Sequence, residues 1–190
     1  MDEKEYSSIQ ETREHILRVK DFIGDIIKGL LDRMYLHDAS KMKSPELETF
    51  DRFTPKLRDT TYGSDEYKSC LSEMRPALEH HYKENRHHPE HFKDGILGMN
   101  LVDLIEMLCD WYAASMRHSD GDILKSLEIN QKRFGYSDDI KTLLRNTFID
   151  FFWCYECEYK VCREFPSTCK RVTPGKEYVE ERLKELKNEI

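Results

Sequence analysis

The chain has 190 residues and a mass of 22.7 kDa, enough for one domain with a core of its own. Its 37 acidic and 30 basic residues give a formal net charge of −7, which counts against a nucleic-acid duplex as partner, because phosphate contacts need clustered Lys and Arg. Charged residues reach 35%, mean hydropathy is −0.76, and Gly and Pro number only 8 and 6, which excludes a breaker-rich β-sandwich and favours solvated helices. No apolar run approaches the roughly 18 residues of a membrane span.

Helical periodicity runs through almost the whole chain. Ile9, Ile16, Val19 and Ile23 begin one apolar stripe, and Ile26, Ile27, Leu30, Leu31 and Met34 continue it. Gly24-Asp25 predicts a stop and restart between them, with Gly past one terminus and Asp capping the next helix. Ser44-Pro45 opens a short helix, and residues 54–64 read as a polar loop. A helix then runs from Asp65 towards Asn85, kinked at Pro76, with Leu71, Met74, Leu78 and His81 as its stripe. Pro89 turns the following segment into a loop. Asn100 caps a strong helix through Arg117, Ser119–Phe134 forms another, and Ser137-Asp138-Asp139 opens a long one towards Phe165. A charged helix follows Pro174. No alternating strand pattern or internal repeat is visible. The expected architecture is all-α, a single-domain bundle of about seven or eight helices over residues 1–190, with residues 148–190 packing on a core of about 9–147. The acidic start Met1-Asp2-Glu3-Lys4-Glu5 has no apolar core and does not read as a signal peptide, and the six Cys read as reduced thiols, so a cytoplasmic chain is expected.

Five of the eight His, namely His80, His81, His87, His88 and His91, fall within twelve residues, and His37 directly precedes Asp38. Imidazole and carboxylate are the ligands a protein offers to Zn, Mn, Fe or, less often, Mg. A solvated polar loop would account for one or two such histidines; a cluster with an upstream His-Asp pair and a downstream acidic helix face points to a metal site. That face is Asp103, Glu106 and Asp110, on one stripe of a helix that also carries Leu101, Leu104, Ile105, Leu108 and Trp111. Acids on so apolar a helix are costly unless neutralised. Asp103, three residues after Asn100, reads equally well as a capping residue; Asp110 lies mid-helix, where that reading fails. His81 lies on the apolar stripe of its helix and is preferred to His80 as a ligand. Glu106 and Glu90 are candidates for a general base or for carboxylates that orient metal-bound His.

The order of these residues resembles the H…HD…D pattern of the HD-domain metal-dependent phosphohydrolases, taken as His15, His37-Asp38 and Asp110. Glu11-x-x-x-His15 resembles the first-helix ExxxH of the HD-GYP branch, and His37-Asp38-Ala39-Ser40-Lys41 its HDxGK. Cys109 to Ala114 resembles ADxxDA, and His87-His88 with Asp94-Gly95 a lengthened HHxxxDG. The Gly-Tyr-Pro signature is missing, and Ala113 replaces the second Asp of ADxxDA. The stretch from residue 9 to about 147 is also similar to uncharacterised phage and bacterial proteins recognisable by HDxSK, HHPEH and DWxAA. The resemblance implies an HD-like bundle holding one or two divalent metal ions (Mn, Fe, Zn or Mg). It implies hydrolysis of a phosphate ester, of a nucleotide or a related small phosphorylated metabolite, by water activated on the metal. His15, His37, Asp38 and Asp110 would hold one ion, and His81, His87 and His88 a second bridged by Asp38.

His15 and His37 are 22 positions apart, about 33 Å on one helix, so sharing an ion requires the chain to reverse at Gly24-Asp25. Lys41 is the candidate for holding a substrate phosphate and reads equally as an ordinary surface lysine, with Arg33, Arg117 and Arg133 as further candidates that read better as surface ion pairs than as phosphate contacts. Cys154, Cys157, Cys162 and Cys169 have poor spacing for a zinc ribbon and lie among aromatics, which favours packing. The aromatic stretch 148–159 is a candidate homodimer surface or a buried helix. The competing functional reading is a non-catalytic helical binding protein with a structural metal or an inactive HD site.

Overall fold

A computed structural model of the chain describes residues 8–60, 64–117 and 122–152. The described residues are all-α. They form six helices, α1 (Ser8–Leu36), α2 (Glu46–Asp59), α3 (Asp65–Glu84), α4 (Leu101–Ser115), α5 (Ile123–Phe134) and α6 (Asp138–Phe152), with short 3-10 turns at Ala39–Met42, Pro89–His91 and Gly95–Gly98. The chain divides into two compact units, Met1–Asp110 and Trp111–Ile190. Among the described residues no helix is long and apolar enough to cross a membrane.

In the first unit, the expected break at Gly24-Asp25 does not occur. α1 runs unbroken for 29 residues. A helical glycine costs only about 1 kcal/mol, and the apolar spacing of Val19, Ile23, Ile26 and Leu30 continues through it without a change of phase. The polar loop expected over 54–64 is also shorter than the sequence suggests, since α2 carries Pro55 inside it and reaches Asp59. The amide lost at Pro55 is offset by burial: Phe53 joins Cys70 and Met74 in a core, with Phe50, Leu57 and Leu78 packed against it. That core clamps α2 onto α3. Ser64 caps α3 by accepting from the Tyr67 amide, and the buried stripe Cys70, Met74, Ala77, His81 carries the helix into the site.

α4 starts with a reciprocal cap: Asn100 Oδ1 accepts from the Asp103 amide at 2.9 Å and Asp103 Oδ2 accepts from the Asn100 amide at 3.1 Å. In the second unit Asp122 caps α5 through the Leu124 amide, and Gly135, at φ 67°, ends it. Trp111 stacks on Phe134 and Tyr136, whose hydroxyl donates to the Leu127 carbonyl at 2.7 Å. Phe148 of α6 is buried against Tyr112. Residues 153–190, including Cys154, Cys157, Cys162 and Cys169, most of the aromatic stretch and the expected C-terminal helix, lie outside the described residues.

Candidate metal centre

The site lies wholly within the first unit, and four segments build it. The end of α1 presents Arg33 and, just past it, His37. The turn that follows presents Asp38, α3 presents His81, and the loop after α3 presents His87 and His88. α4 adds Asp103, Glu106 and Asp110. Asp38 adopts φ 57°, the only positive φ of a non-glycine residue among those described. The left-handed region is tolerated by Asp better than by most residues, and such a conformation persists where surrounding contacts enforce it. Here it reverses the chain after α1 and turns the carboxylate inward.

Two groups of potential ligand atoms result, each with its atoms mutually within 4.8 Å: Asp38, His81, His87 and His88, and His37, His87 and Asp110. Asp38 Oδ1 lies 3.3 Å from His81 Nε2 and 3.6 Å from His87 Nε2, while Oδ2 lies 3.6 Å from His37 Nε2. Asp110 Oδ1 is 3.7 Å from the same His37 nitrogen, and His81 and His88 face each other Nε2 to Nε2 at 2.9 Å.

Buried carboxylates outside this cluster set the direction of its lone pairs. Glu106 Oε1 accepts from Nδ1 of His37 at 3.0 Å and lies 3.2 Å from Nδ1 of His87. Glu46, fully buried, accepts from His81 Nδ1 at 2.8 Å, from His80 Nδ1 at 2.7 Å and from the Ser40 hydroxyl at 2.9 Å. An ionised carboxylate can only accept, so each of these Nδ1 atoms must carry a proton, which leaves Nε2 of His81 and His87, and of His37 once it gives up its second proton, to turn a lone pair inward. This arrangement orients metal-bound histidines. Asp38 Oδ1 and His87 Nε2 are buried and have no hydrogen-bond partner, a costly state for polar atoms unless a cation joins them. The donor set therefore fits a divalent metal.

Electrostatics agree. Hydrogen bonds to Asp110 and Glu106 push the His37 imidazole up to about 10. Where no cation is bound, a proton on His37 thus stands in for part of the positive charge the carboxylates require. Burial and the neighbouring His87 and His81 pull His88 down to about 3, leaving it neutral with a lone pair to offer. Burial works to raise Glu106, but His37 and His87 outweigh it and hold the carboxyl down at about 2. Burial likewise opposes ionisation of Asp38, yet His81 and Lys41 hold it well below the usual carboxylate range.

The other residues singled out by sequence fall elsewhere. His15 and Glu11 lie far along the unbroken α1, and His15 is about 33 Å from His37 by helical rise, so neither can join the group. His80 turns to Glu46, and His91 Nδ1 lies 3.0 Å from the Tyr82 carbonyl. Glu90 is exposed. Asp103 caps α4 and receives Arg33 and a two-pronged contact from Arg86, which makes it a structural carboxylate rather than a ligand. Arg33 is spent on Asp103 and Glu106. Lys41 donates to Asp38 Oδ2 at 2.6 Å. Arg117 and Arg133 are exposed residues of the second unit, and Arg133 lies over the Phe134 ring.

Sequence reasoning missed Glu46, Ser40, Asn85 and Arg86. Asn85 donates to the Ser40 hydroxyl at 2.7 Å and to the His81 carbonyl at 2.8 Å, tying the turn after α1 to the end of α3. Replacing Glu46 with Gln leaves one carbonyl oxygen for three donors. The expected result is a metal affinity lower by about 10–100-fold, measured by competition with a chelator; an unchanged affinity would show that Glu46 does not orient His81.

No curated protein and no solved structure matches the chain. One family model does, over residues 4–150, a span that includes every residue of the metal centre. On that match, the chain belongs to a family of unknown function (DUF5662).

Proposed function

We propose that the chain is a metal-dependent phosphohydrolase that cleaves a phosphate ester of a nucleotide or a related small phosphorylated metabolite. The observation that carries this reading is the pair of buried, unpartnered acceptors, Asp38 Oδ1 and His87 Nε2, where two groups of ligand atoms meet. The HD-like order of His37-Asp38 and Asp110 supports it.

Asp38, His81, His87 and His88 would hold one ion. His37 and Asp110 would serve a second. His87 has one inward lone pair and can serve only one ion, so Asp38, with an oxygen turned to each group, is the residue able to bridge. A bound divalent ion supplies a water acidified towards neutral pH and positive charge against the phosphoryl oxygens. The protein side of the chemistry follows from graded burial. Side chains of His81 and His87 are 2% and 1% exposed, those of His37, Asp38 and Asp110 33%, 21% and 22%, so His37, Asp38 and Asp110 form the solvent-facing edge where a substrate would reach the cluster. Lys41, already beside Asp38, is placed to turn its ammonium to a phosphate oxygen as a point charge.

One observation favours a second reading. Asp38, His81, His87 and His88 make a four-ligand set, the number a closed structural site uses. Metal analysis followed by a panel of phosphate esters, on wild type and Asp110→Asn, separates the two. The phosphohydrolase is expected to turn over at least one ester with Mn²⁺, and Asp110→Asn to lose more rate than the roughly 10–100-fold that follows loss of an outer-sphere partner, with its helical circular dichroism intact. Bound metal with no hydrolysis of any ester would leave the structural-metal reading, and a wild type that binds no divalent ion would end both.

A further inference from the structure

We propose, resting on the phosphohydrolase reading, that Lys41 keeps the second metal position closed until a phosphate draws it away, so that the second ion enters together with the substrate. The two oxygens of Asp38 are not equivalent. Oδ1, which approaches His81 and His87, is buried and has no hydrogen-bond partner. Oδ2, which approaches His37, holds the Lys41 ammonium at 2.6 Å. One oxygen is thus left for a metal ion, and the other carries a cation of the chain's own.

The backbone sets Lys41 in that place. Its amide donates to the Asp38 carbonyl at 2.9 Å, within the 3-10 turn Ala39–Met42. A 3-10 turn eclipses side chains three residues apart, so the Lys41 stem rises over the Asp38 carboxylate. The Phe50 ring adds a face 5.3 Å from Nζ, which favours the ammonium on the same spot.

Charge makes the two occupants exclusive. A carboxylate oxygen meets a divalent ion at about 2.1 Å. An ion on Oδ2 would therefore lie within about 5 Å of the ammonium on the same oxygen, well inside the screening length of about 10 Å. The second ion depends on that oxygen, since His37 and Asp110 alone offer it only two ligands. The first ion reaches Asp38 through the other oxygen and has His81, His87 and His88 besides. Lys41 consequently separates one tight position from one that is conditional.

A phosphate relieves the competition. The Lys41 side chain is 31% exposed and sits beside Asp38 on the solvent-facing edge of the cluster. A phosphoryl group arriving there offers the ammonium another anionic oxygen, so one charge-assisted hydrogen bond replaces another. Oδ2 is then free for the second ion, whose charge the phosphoryl oxygens also help to balance.

The test counts Mn²⁺ on the full chain by equilibrium dialysis and reads ion pairing by electron paramagnetic resonance. Both are done with and without methylphosphonate, which offers phosphoryl oxygens and no ester bond to cleave. Wild type alone is expected to hold one ion tightly and a second weakly. Methylphosphonate is expected to tighten the second by about 10-fold or more and to bring out the spectrum of two coupled ions. Lys41→Met and Lys41→Gln are expected to bind the second ion about 10-fold or more tighter without methylphosphonate, to gain less at the first ion, and to respond to methylphosphonate less than wild type does. Lys41→Arg, which keeps the charge, is expected to match wild type when no methylphosphonate is present. If Lys41→Met and Lys41→Gln bind the second ion no tighter than wild type, or gain as much at the first ion as at the second, Lys41 does not close the position. If methylphosphonate leaves the second ion of wild type unchanged, phosphate is not what opens it. None of these counts needs turnover. A chain that shows the Lys41 effect but hydrolyses no ester keeps the exclusion and loses the phosphohydrolase reading. One that hydrolyses an ester while Lys41→Met leaves the second ion unchanged keeps that reading and loses the exclusion.

Discussion

Asp38→Asn is expected to strip the protein of divalent metal and to erase the thermal stabilisation that metal confers. Asp38 approaches three inward histidine nitrogens, those of His37, His81 and His87. Its Oδ1 approaches His81 and His87, its Oδ2 approaches His37, and Lys41 balances its charge from outside. The amide keeps the shape but offers only one oxygen, without charge, and its NH₂ would point hydrogens into a space lined by acceptors. A ligand present at a thousandfold excess over its Kd adds about 4 kcal/mol to the folded state. For a chain of this size that is about 8–16 °C in Tm. Wild type is expected to show a gain of this order with Mn²⁺ at saturation, and Asp38→Asn little or none. The decisive measurements are metal content after dialysis and Tm with and without Mn²⁺. If the substituted protein retains metal at wild-type stoichiometry, Asp38 is not the hub of the site.

Why some of this was legible in the sequence and some was not comes down to range. The six residues of the two ligand groups, His37, Asp38, His81, His87, His88 and Asp110, stand out before any folding because imidazoles crowd one loop and an acid interrupts an apolar helix. Those are local signals. His81 could be preferred to His80 on helical phase alone, and the geometry indeed turns His81 inward and His80 to the outer carboxylate. Glu46 had no such signal. It sits in a run with Glu48, and only the packing of Phe53 against Cys70 and Met74, which presses α2 onto α3, buries one acid and leaves the other at the surface. The same packing carries α2 through Pro55, where turn residues pointed to a loop. His15 failed for a related reason. Gly24-Asp25 has the chemistry of a helix boundary, but nothing at that point gains from breaking: a Cβ on Gly24 would meet no atom within 4 Å, and the apolar phase is continuous across it. The sequence pattern that resembled a ligand at His15 therefore lies on the part of α1 that faces outward.

Asp103→Ala should have the largest effect on stability and little on metal stoichiometry. Asp103 is the acid of the α4 face that sequence alone leaves open between ligand and cap. Its side chain is fully buried, and its two oxygens are already committed. Oδ1 accepts from Arg33 at 2.9 Å and from Arg86 Nε at 3.1 Å; Oδ2 accepts from Arg86 Nη2 at 2.9 Å and from the Asn100 amide at 3.1 Å. Removing one partner of a buried ion pair costs about 3–5 kcal/mol, and loss of a cap about 1 more. Arg33 and Arg86 keep 25% and 41% of their side chains in solvent, so water can recover part of what they lose. The net expectation is therefore about 3 kcal/mol, or a Tm lower by about 6–12 °C. Metal affinity can shift through the Arg33 contact to Glu106, but no Asp103 oxygen is left to face an ion, so the bound metal per chain should stay at the wild-type value. Thermal melting and metal content on the same preparation separate the two roles. Should the variant lose its metal while melting like wild type, Asp103 would be a ligand and the hydrogen bonds that now occupy its oxygens would have to give way when metal binds.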